Sequence, residues 1–547
     1  MIKSMRIAVK EIEIATEGTV VSENCTGYVS CISTDTRKDC YNSLFIPIIG
    51  PNFDAHNYIN NAFEKGAAVT LTDRDVDIEE RFRDRVVIKV GDTLKAMGML
   101  ASVYRLKFSP NVVGITGSAG KTTTKDLVAL VLSKKYNVLK TPGNFNNEIG
   151  LPLTVFRLDE SYDSLVLEMG MNSPGEISRL SKIGRPDSAI ITNIGLAHVE
   201  KLGSKQNILK AKLEIIDGLS KNGTMFLNGD DTLLSGLRGL IDRQIVYFGI
   251  DENLDVIASD IKLNGDEGVE FEFQWQQRSY KVNVHIAGAH NVHNALAAVA
   301  VGLQNGVKPE DIVEAIGEYR PGNMRMNIVP IGGIKIIDDT YNANPQSMYV
   351  AIDAAMGVDC GDGDDIGVGV GVGGSSSGWS DSDGRGGGGG RSSSGGVSGS
   401  GSGSDGNISD NSAYYGVDGN SDLSGNRRKK SSIGGRRIAV FGEMYELGDM
   451  TERCHFDVGE YAASHGIDIL LALGGHAQYY VEGASLCKER KCEAYAFSGK
   501  DELIGFLADI VMDGDLLLVK GSRGAKMEEV VDGFKERIQK KRTRQKM

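Results

Sequence analysis

The chain has 547 residues, 41% of them hydrophobic, with a net charge of −13. That length suggests three or four domains with large packed cores, and the acidic balance argues against general nucleic-acid binding. Seven scattered cysteines without a Cys-x-x-Cys pair speak for reduced thiols and against a disulfide framework or zinc site.

Met1–Gly18 mixes charges with apolar residues, so a signal peptide is not expected. No run of about eighteen apolar residues is present to cross a membrane. Residues 1–108 read as a small α/β unit: a helix at Lys10–Thr16, a strand at Ser43–Ile49, a helix at Tyr58–Lys65 and a strand at Ala67–Thr72. Residues 109–357 read as a nucleotide-binding core. Strands at Val112–Ile115, Ser164–Glu168 and Ser188–Asn193 alternate with helices at Lys121–Ser133, Gly175–Lys182 and Lys205–Leu219, which implies a mostly parallel sheet. Short strands follow in Val256–His285, then a helix at His290–Leu303. Residues 358–435 are dominated by Gly, Ser and Asp and read as a disordered insert. Residues 436–547 restart an alternating pattern: strands at Arg437–Phe441, Asp468–Leu473, Ala494–Phe497 and Asp515–Val519, and a last helix at Ala525–Arg537. No Gly-x-Gly-x-x-Gly turn follows the first of them, so a nicotinamide site is not expected. Lys540–Lys546 reads as a solvated helix end.

The sharpest motif is Gly117-Ser-Ala-Gly-Lys-Thr-Thr123, between an apolar strand and a helix. Glycines there let backbone N–H groups approach an oxyanion; Lys121 adds a charge and Thr122 a hydroxyl for Mg²⁺. Gly117, Ser118, Ala119, Gly120, Lys121, Thr122 and Thr123 are therefore expected to hold ATP. The spacing is Gly-x-x-Gly-Lys-Thr, with Ile115 where the usual first glycine stands. Glu168 ends a strand and reads as a metal ligand or a helix-capping acid. His198 follows a strand end beside the loop and reads as a ligand or a structural histidine. Lys212, on a helix, carries no signal alone. Asn291 and Asn294 follow Gly288; Asn291 reads as an N-cap, and two amides there can also meet a purine edge. Asp338, Asp339 and Tyr341–Pro345 after an apolar strand suit a ribose or a metal.

In order, the phosphate loop, Glu168-Met-Gly-Met-Asn172, His198, Lys212-Leu-Glu214, His290-Asn291-x-x-Asn294 and Asp338-Asp-Thr-Tyr-Asn-Ala-Asn-Pro345 resemble the Mur ligases. Thr34-Asp35-Thr36-Arg37 and Lys520-Gly-Ser-Arg523 extend the resemblance over the chain apart from the insert. Phe53–His56, Thr141–Gly150, Tyr341–Pro345, Gly442–Gly448 and Val519–Arg523 resemble most the member that adds D-alanyl-D-alanine to UDP-N-acetylmuramoyl-tripeptide. The resemblance implies an α/β fold of three domains: a UDP-binding N-terminal domain, a central P-loop ATPase and a C-terminal Rossmann-like domain. It implies ATP and two Mg²⁺ ions, with Thr122, Glu168, His198 and a carbamylated Lys212 as metal ligands. Thr34, Asp35, Thr36 and Arg37 would hold the UDP end. Asn294 with Asn291 would meet adenine, Arg325 the nucleotide and Asp339 the ribose. Asn144, Asn147, Asn342, Asn344, Lys520 and Ser522 would bind substrate, and Lys121, Lys212, His198 and Arg523 would serve catalysis. Arg320 is the alternative to Arg325. A cytoplasmic monomer acting on small molecules is implied. The alternatives are another Mur-type amide ligase, a folylpolyglutamate synthetase-like enzyme, a phosphotransferase acting on an alcohol and a non-catalytic nucleotide-binding scaffold.

Overall fold

A computed structural model describes residues 5–50, 52–360, 435–488 and 490–546. The insert expected at 358–435 falls almost wholly outside the described residues.

Three large sheets, beside two two-stranded ones, carry the described residues. In the N-terminal one the strands run in the order Thr19–Val20, Val86–Lys89, Val69–Thr72, Ser43–Phe45 and Cys31–Ser33. The central sheet has nine strands: Val138–Lys140, Ser164–Glu168, Asn111–Thr116, Ser188–Ile191, Thr224–Asn228, Gln244–Gly249, Val256–Leu263, Val269–Trp275 and Arg278–Val284. Its first six pairings are parallel, and its last two form the antiparallel meander expected from the short strands after Val256. The inner parallel strands are mostly apolar, as strands covered on both faces are; Ser164–Glu168 and Ser188–Ile191 are buried at every position.

The phosphate-loop strand lies between those two, with Ile115 beside Glu168 on one side and Ile190 on the other. Three strand ends thus converge on one rim, where parallel sheets bind ligands. The helix after the loop spans Lys121–Ser133, as the sequence implied. It buries Leu127, Val128, Val131 and Leu132 against the sheet and the helix His290–Gln304. Each such side chain contributes about 1.5–3 kcal/mol. The two helices approach closely at Gly302, where a Cβ would stand 2.5 Å from Val131 Cγ1.

The third sheet orders its strands Asn327–Ile331, Ile334–Asp339, Leu516–Lys520, Arg437–Phe441, Ile469–Leu473 and Glu493–Phe497. Ile334–Asp339 pairs in parallel with Leu516–Lys520, aligning Asp339 with Lys520. The hairpin 327–339 therefore belongs to this sheet, not to the nucleotide-binding core 109–357 into which chain contiguity placed it. Contiguity misleads there because the partner strand lies near the other end of the chain. Near the N-terminal boundary, the helix Thr93–Arg105 packs on the central layer: Arg105 Nε donates to Gly184 O (3.1 Å) and Tyr104 OH to Leu158 O (2.9 Å). All seven cysteines are free thiols. Among the described residues no helix is long and apolar enough to cross a membrane.

Candidate active site

A cleft of about 370 Å³ opens between the carboxyl ends of the central and third sheets. The phosphate loop forms its floor. Gly117 (φ +155°) cannot carry a side chain: its Cβ would stand 1.8 Å from Thr192 Oγ1. Gly120 (φ +79°) faces the same limit from Asn294 Oδ1 at 2.4 Å. The loop is clamped by the next strand end. Thr192 Oγ1 donates to Ala119 O (2.6 Å), Ala119 N donates to Asn193 Oδ1 (2.9 Å), and Gly195 N donates to Ser118 Oγ (2.8 Å). Thr192 and Asn193 went unread as site residues because the sequence places them inside a strand Ser188–Asn193, whereas that strand ends at Ile191.

Lys121 Nζ donates to Gly117 O at 2.7 Å and keeps two protons for phosphate oxygens. Enclosure in the cleft lowers its pKa, with Glu168 opposing that shift. Thr122 Oγ1 donates to Glu168 Oε2 (2.9 Å), and Asn146 Nδ2 donates to Glu168 Oε1 (2.9 Å). Glu168 is thus a cleft carboxylate and not a helix cap. Asn146 was missed between Asn144 and Asn147, although all three line the cleft. Lys125, also missed, is buried with Nζ 3.9 Å from Glu168 Oε2.

These oxygens fit a magnesium ion. Among the described residues no three His, Cys, Asp or Glu side chains cluster as a complete cage. Magnesium needs none, since it takes one or two carboxylates and fills its shell with waters and phosphate oxygens. His198 lines the cleft and sets Nδ1 2.6 Å from Glu446 Oε2 of the third-sheet side. Lys212 is 2% exposed and lies beneath the cleft, outside its lining. Burial, with the Lys121 charge, drives its pKa well down and favours the neutral amine.

Asn291 does not cap its helix. The helix starts at His290 after Ala289, and Asn291 Nδ2 donates back to Ala287 O (3.0 Å). Asn294 Nδ2 donates to Asn291 Oδ1 (3.0 Å), while Asn294 Oδ1 accepts from Thr124 Oγ1 (3.2 Å). His293, missed in the sequence, places Nε2 2.6 Å from Asp230 Oδ2. His290 is held at a pKa of about 3 by burial, then by His293 and Lys520.

Opposite stands the third sheet. Lys520 Nζ donates to Asp339 Oδ2 (2.5 Å) and to Asn342 O (2.9 Å). Arg523 N donates to Asn342 Oδ1 (3.3 Å), and Asn344 caps the helix Pro345–Gly357 through Ser347 N. Asp338 turns away, accepting from Thr340. Arg325 stacks 3.8 Å from the Tyr341 ring centre and lines the cleft, whereas Arg320 donates to Gly317 O and Tyr319 O. Ser522 is buried and ties loops together: its hydroxyl donates to Ala343 O and accepts from Tyr445 N.

The cleft does not gather Thr34, Asp35, Thr36 and Arg37. They form a loop after Cys31–Ser33, where Arg37 clamps Asp35 through two 2.9 Å contacts and holds its carboxyl down at about 2.

Residues 115–302 match the Mur ligase middle domain, and residues 424–523 match the Mur ligase glutamate ligase domain. A UDP-N-acetylmuramoyl-tripeptide--D-alanyl-D-alanine ligase of Bacillus subtilis is 34% identical over 501 residues, covering 91% of this chain and 92% of the relative. The chain belongs to the Mur ligase family. The ligase of the same name from Escherichia coli is 30% identical, covering 93% of this chain and 94% of its own. Among solved Mur ligases, MurF from Acinetobacter baumannii aligns with a TM-score of 0.78 at 27% identity, over 97% of this chain and 99% of its own. MurF from Thermotoga maritima, solved with ADP, aligns at 0.70 and 24% identity, over 93% of this chain and 98% of its own.

Proposed function

We infer that the chain is an ATP-dependent ligase that joins D-alanyl-D-alanine to UDP-N-acetylmuramoyl-tripeptide. One observation carries the reading: a phosphate loop with Lys121, Thr122 and Glu168 faces Asp339, Lys520 and Arg523 across a single cleft.

A carboxylate is a poor electrophile. Moving the γ-phosphoryl group of ATP onto the tripeptide's terminal carboxylate makes an acyl-phosphate, which the dipeptide's free amine attacks. The C–N bond forms and phosphate leaves. Such transfer depends on alignment and charge stabilisation more than on covalent help from the protein. Lys121 and the loop N–H groups hold the phosphates. Thr122, Glu168 and His198 would hold magnesium, whose charge, when bound, lowers the repulsion between phosphates and carboxylate. Burial favours the neutral amine of Lys212, whose lone pair can take up carbon dioxide, and its carbamate would add a further carboxylate toward that site. Asn294 keeps one amide proton for the adenine edge, beside Asn291. Arg325 lies against the nucleotide, and Asp339, seated on Lys520, faces the ribose. Asn144, Asn147, Asn342 and Asn344 hold the peptide arm, with Lys520 and Ser522 behind them. Arg523 approaches the incoming amine, and Thr34–Arg37 hold the uridine diphosphate end. The unit acts as a cytoplasmic monomer, with 1–108, 109–326, and 327–357 together with 436–547 as its three domains.

The test is phosphate release from ATP with UDP-N-acetylmuramoyl-tripeptide and a panel of amines. D-Alanyl-D-alanine is expected to give stoichiometric phosphate and amide. Turnover with meso-diaminopimelate or lysine instead would assign the chain to another Mur-type ligase.

A further inference from the structure

Two loops from different sheets interlock at the rim of the cleft. His198 lies after the strand Ser188–Ile191, and Glu446 after the strand Arg437–Phe441. His198 Nδ1 and Glu446 Oε2 are 2.6 Å apart. Both residues hold left-handed backbone, at φ +63° and +65°, a strained conformation for a residue with a Cβ. Gly448 seats the same loop on Glu200: a Cβ there would lie 2.8 Å from Glu200 Cγ. The His198 turn is in turn tied to the phosphate loop through Gly195 N and Ser118 Oγ.

The Glu446 carboxylate lies against Nδ1, so Nε2 is the ring nitrogen left for a ligand. A histidine oriented by a carboxylate on one nitrogen is the usual arrangement for holding a metal on the other. A half-exposed ion pair by itself adds little stability. Two strained backbones facing one another need a different reason.

We propose that Glu446 is a positioning residue for His198: docking of the third sheet against the central sheet orients the imidazole, so the divalent-cation site is complete only in the docked arrangement. This inference rests on the reading of His198 as a metal-holding side chain.

The test measures binding of the β,γ-imido analogue of ATP to the full chain, in magnesium and in EDTA, for the wild type, Glu446→Gln and Glu446→Asp. Hydrogen exchange of residues 196–202 is followed without any ligand. Glu446→Gln is expected to cut the magnesium-dependent gain in affinity about tenfold, leave the EDTA affinity within about twofold, and speed exchange in 196–202. Glu446→Asp is expected to restore part of the gain. Glu446→Gln with the full magnesium gain, or with equal losses in magnesium and EDTA, would overturn the proposal. A wild-type chain with no magnesium gain is a distinct result, which removes the metal reading and this inference with it.

Discussion

The two walls of the cleft are built on different principles. The phosphate-loop wall is local: strand, turn and helix supply Gly117–Thr123 from one continuous segment, and the next strand end clamps it through Thr192, Asn193 and Gly195. The opposite wall is long-range: Asp339 and Lys520 meet only because two parallel strands far apart in the chain align in register. The local wall can therefore lose a functional group and keep its shape. The long-range wall cannot lose half of its buried pair without loosening the sheet that presents it.

Lys121→Ala sharpens this contrast most. Activity is expected to fall by about a thousandfold or more, while the thermal unfolding midpoint stays within a few degrees. A large drop in that midpoint would break the contrast. On the other wall, Asp339→Ala leaves Lys520, 4% exposed, without its carboxylate. Stability is expected to fall by about 3 kcal/mol in denaturant titration, and activity with it. An unchanged midpoint would show that the register holds the sheet without the pair. Asn146→Ala frees one oxygen of Glu168 and is expected to weaken magnesium dependence about tenfold, read from kcat/KM against metal concentration.

A smaller effect concerns pH where the walls face each other. The folded chain protonates His290 only near pH 3, and its ordinary value is 6.5. Between these values the unfolded chain binds more protons, so stability falls as pH drops through the window and is unaffected above it. His290→Gln is expected to flatten the slope between pH 6.5 and 3, by up to about 1.4 kcal/mol per pH unit. An unchanged slope would contradict the burial assigned to the ring. The smallest effect is expected from the segment between the walls' last elements. Cys360 Sγ lies 3.2 Å from Gly435 O, so the described residues on either side of 361–434 stand together. Replacing residues 361–434 with two glycines is expected to change kcat/KM by less than about twofold, since the flanking residues already meet. A larger loss would mean that the segment takes part in the reaction.

The same contrast explains what could be read from the sequence. The phosphate loop and its helix were legible because glycine, lysine and threonine at fixed spacing answer to local backbone geometry. Glu168 and His198 followed from strand ends, where polarity changes sharply. Of the two readings of Asn291, the cap falls, because a side chain that points back to Ala287 O looks, in sequence, like one that points forward. The placement of 327–339 failed because strand partnership depends on a distant register. Asn146 and Lys125 went unseen because each reaches the cleft through Glu168 and carries no motif of its own. Thr34–Arg37 stand in a separate loop, so only family resemblance links them to substrate.

The central claim is that the cleft passes a phosphoryl group to a carboxylate before the amide forms. Tripeptide precursor labelled with ¹⁸O in its terminal carboxylate tests this directly. With ATP and D-alanyl-D-alanine, released phosphate is expected to carry one ¹⁸O for each amide made. Unlabelled phosphate alongside full amide yield would contradict the account.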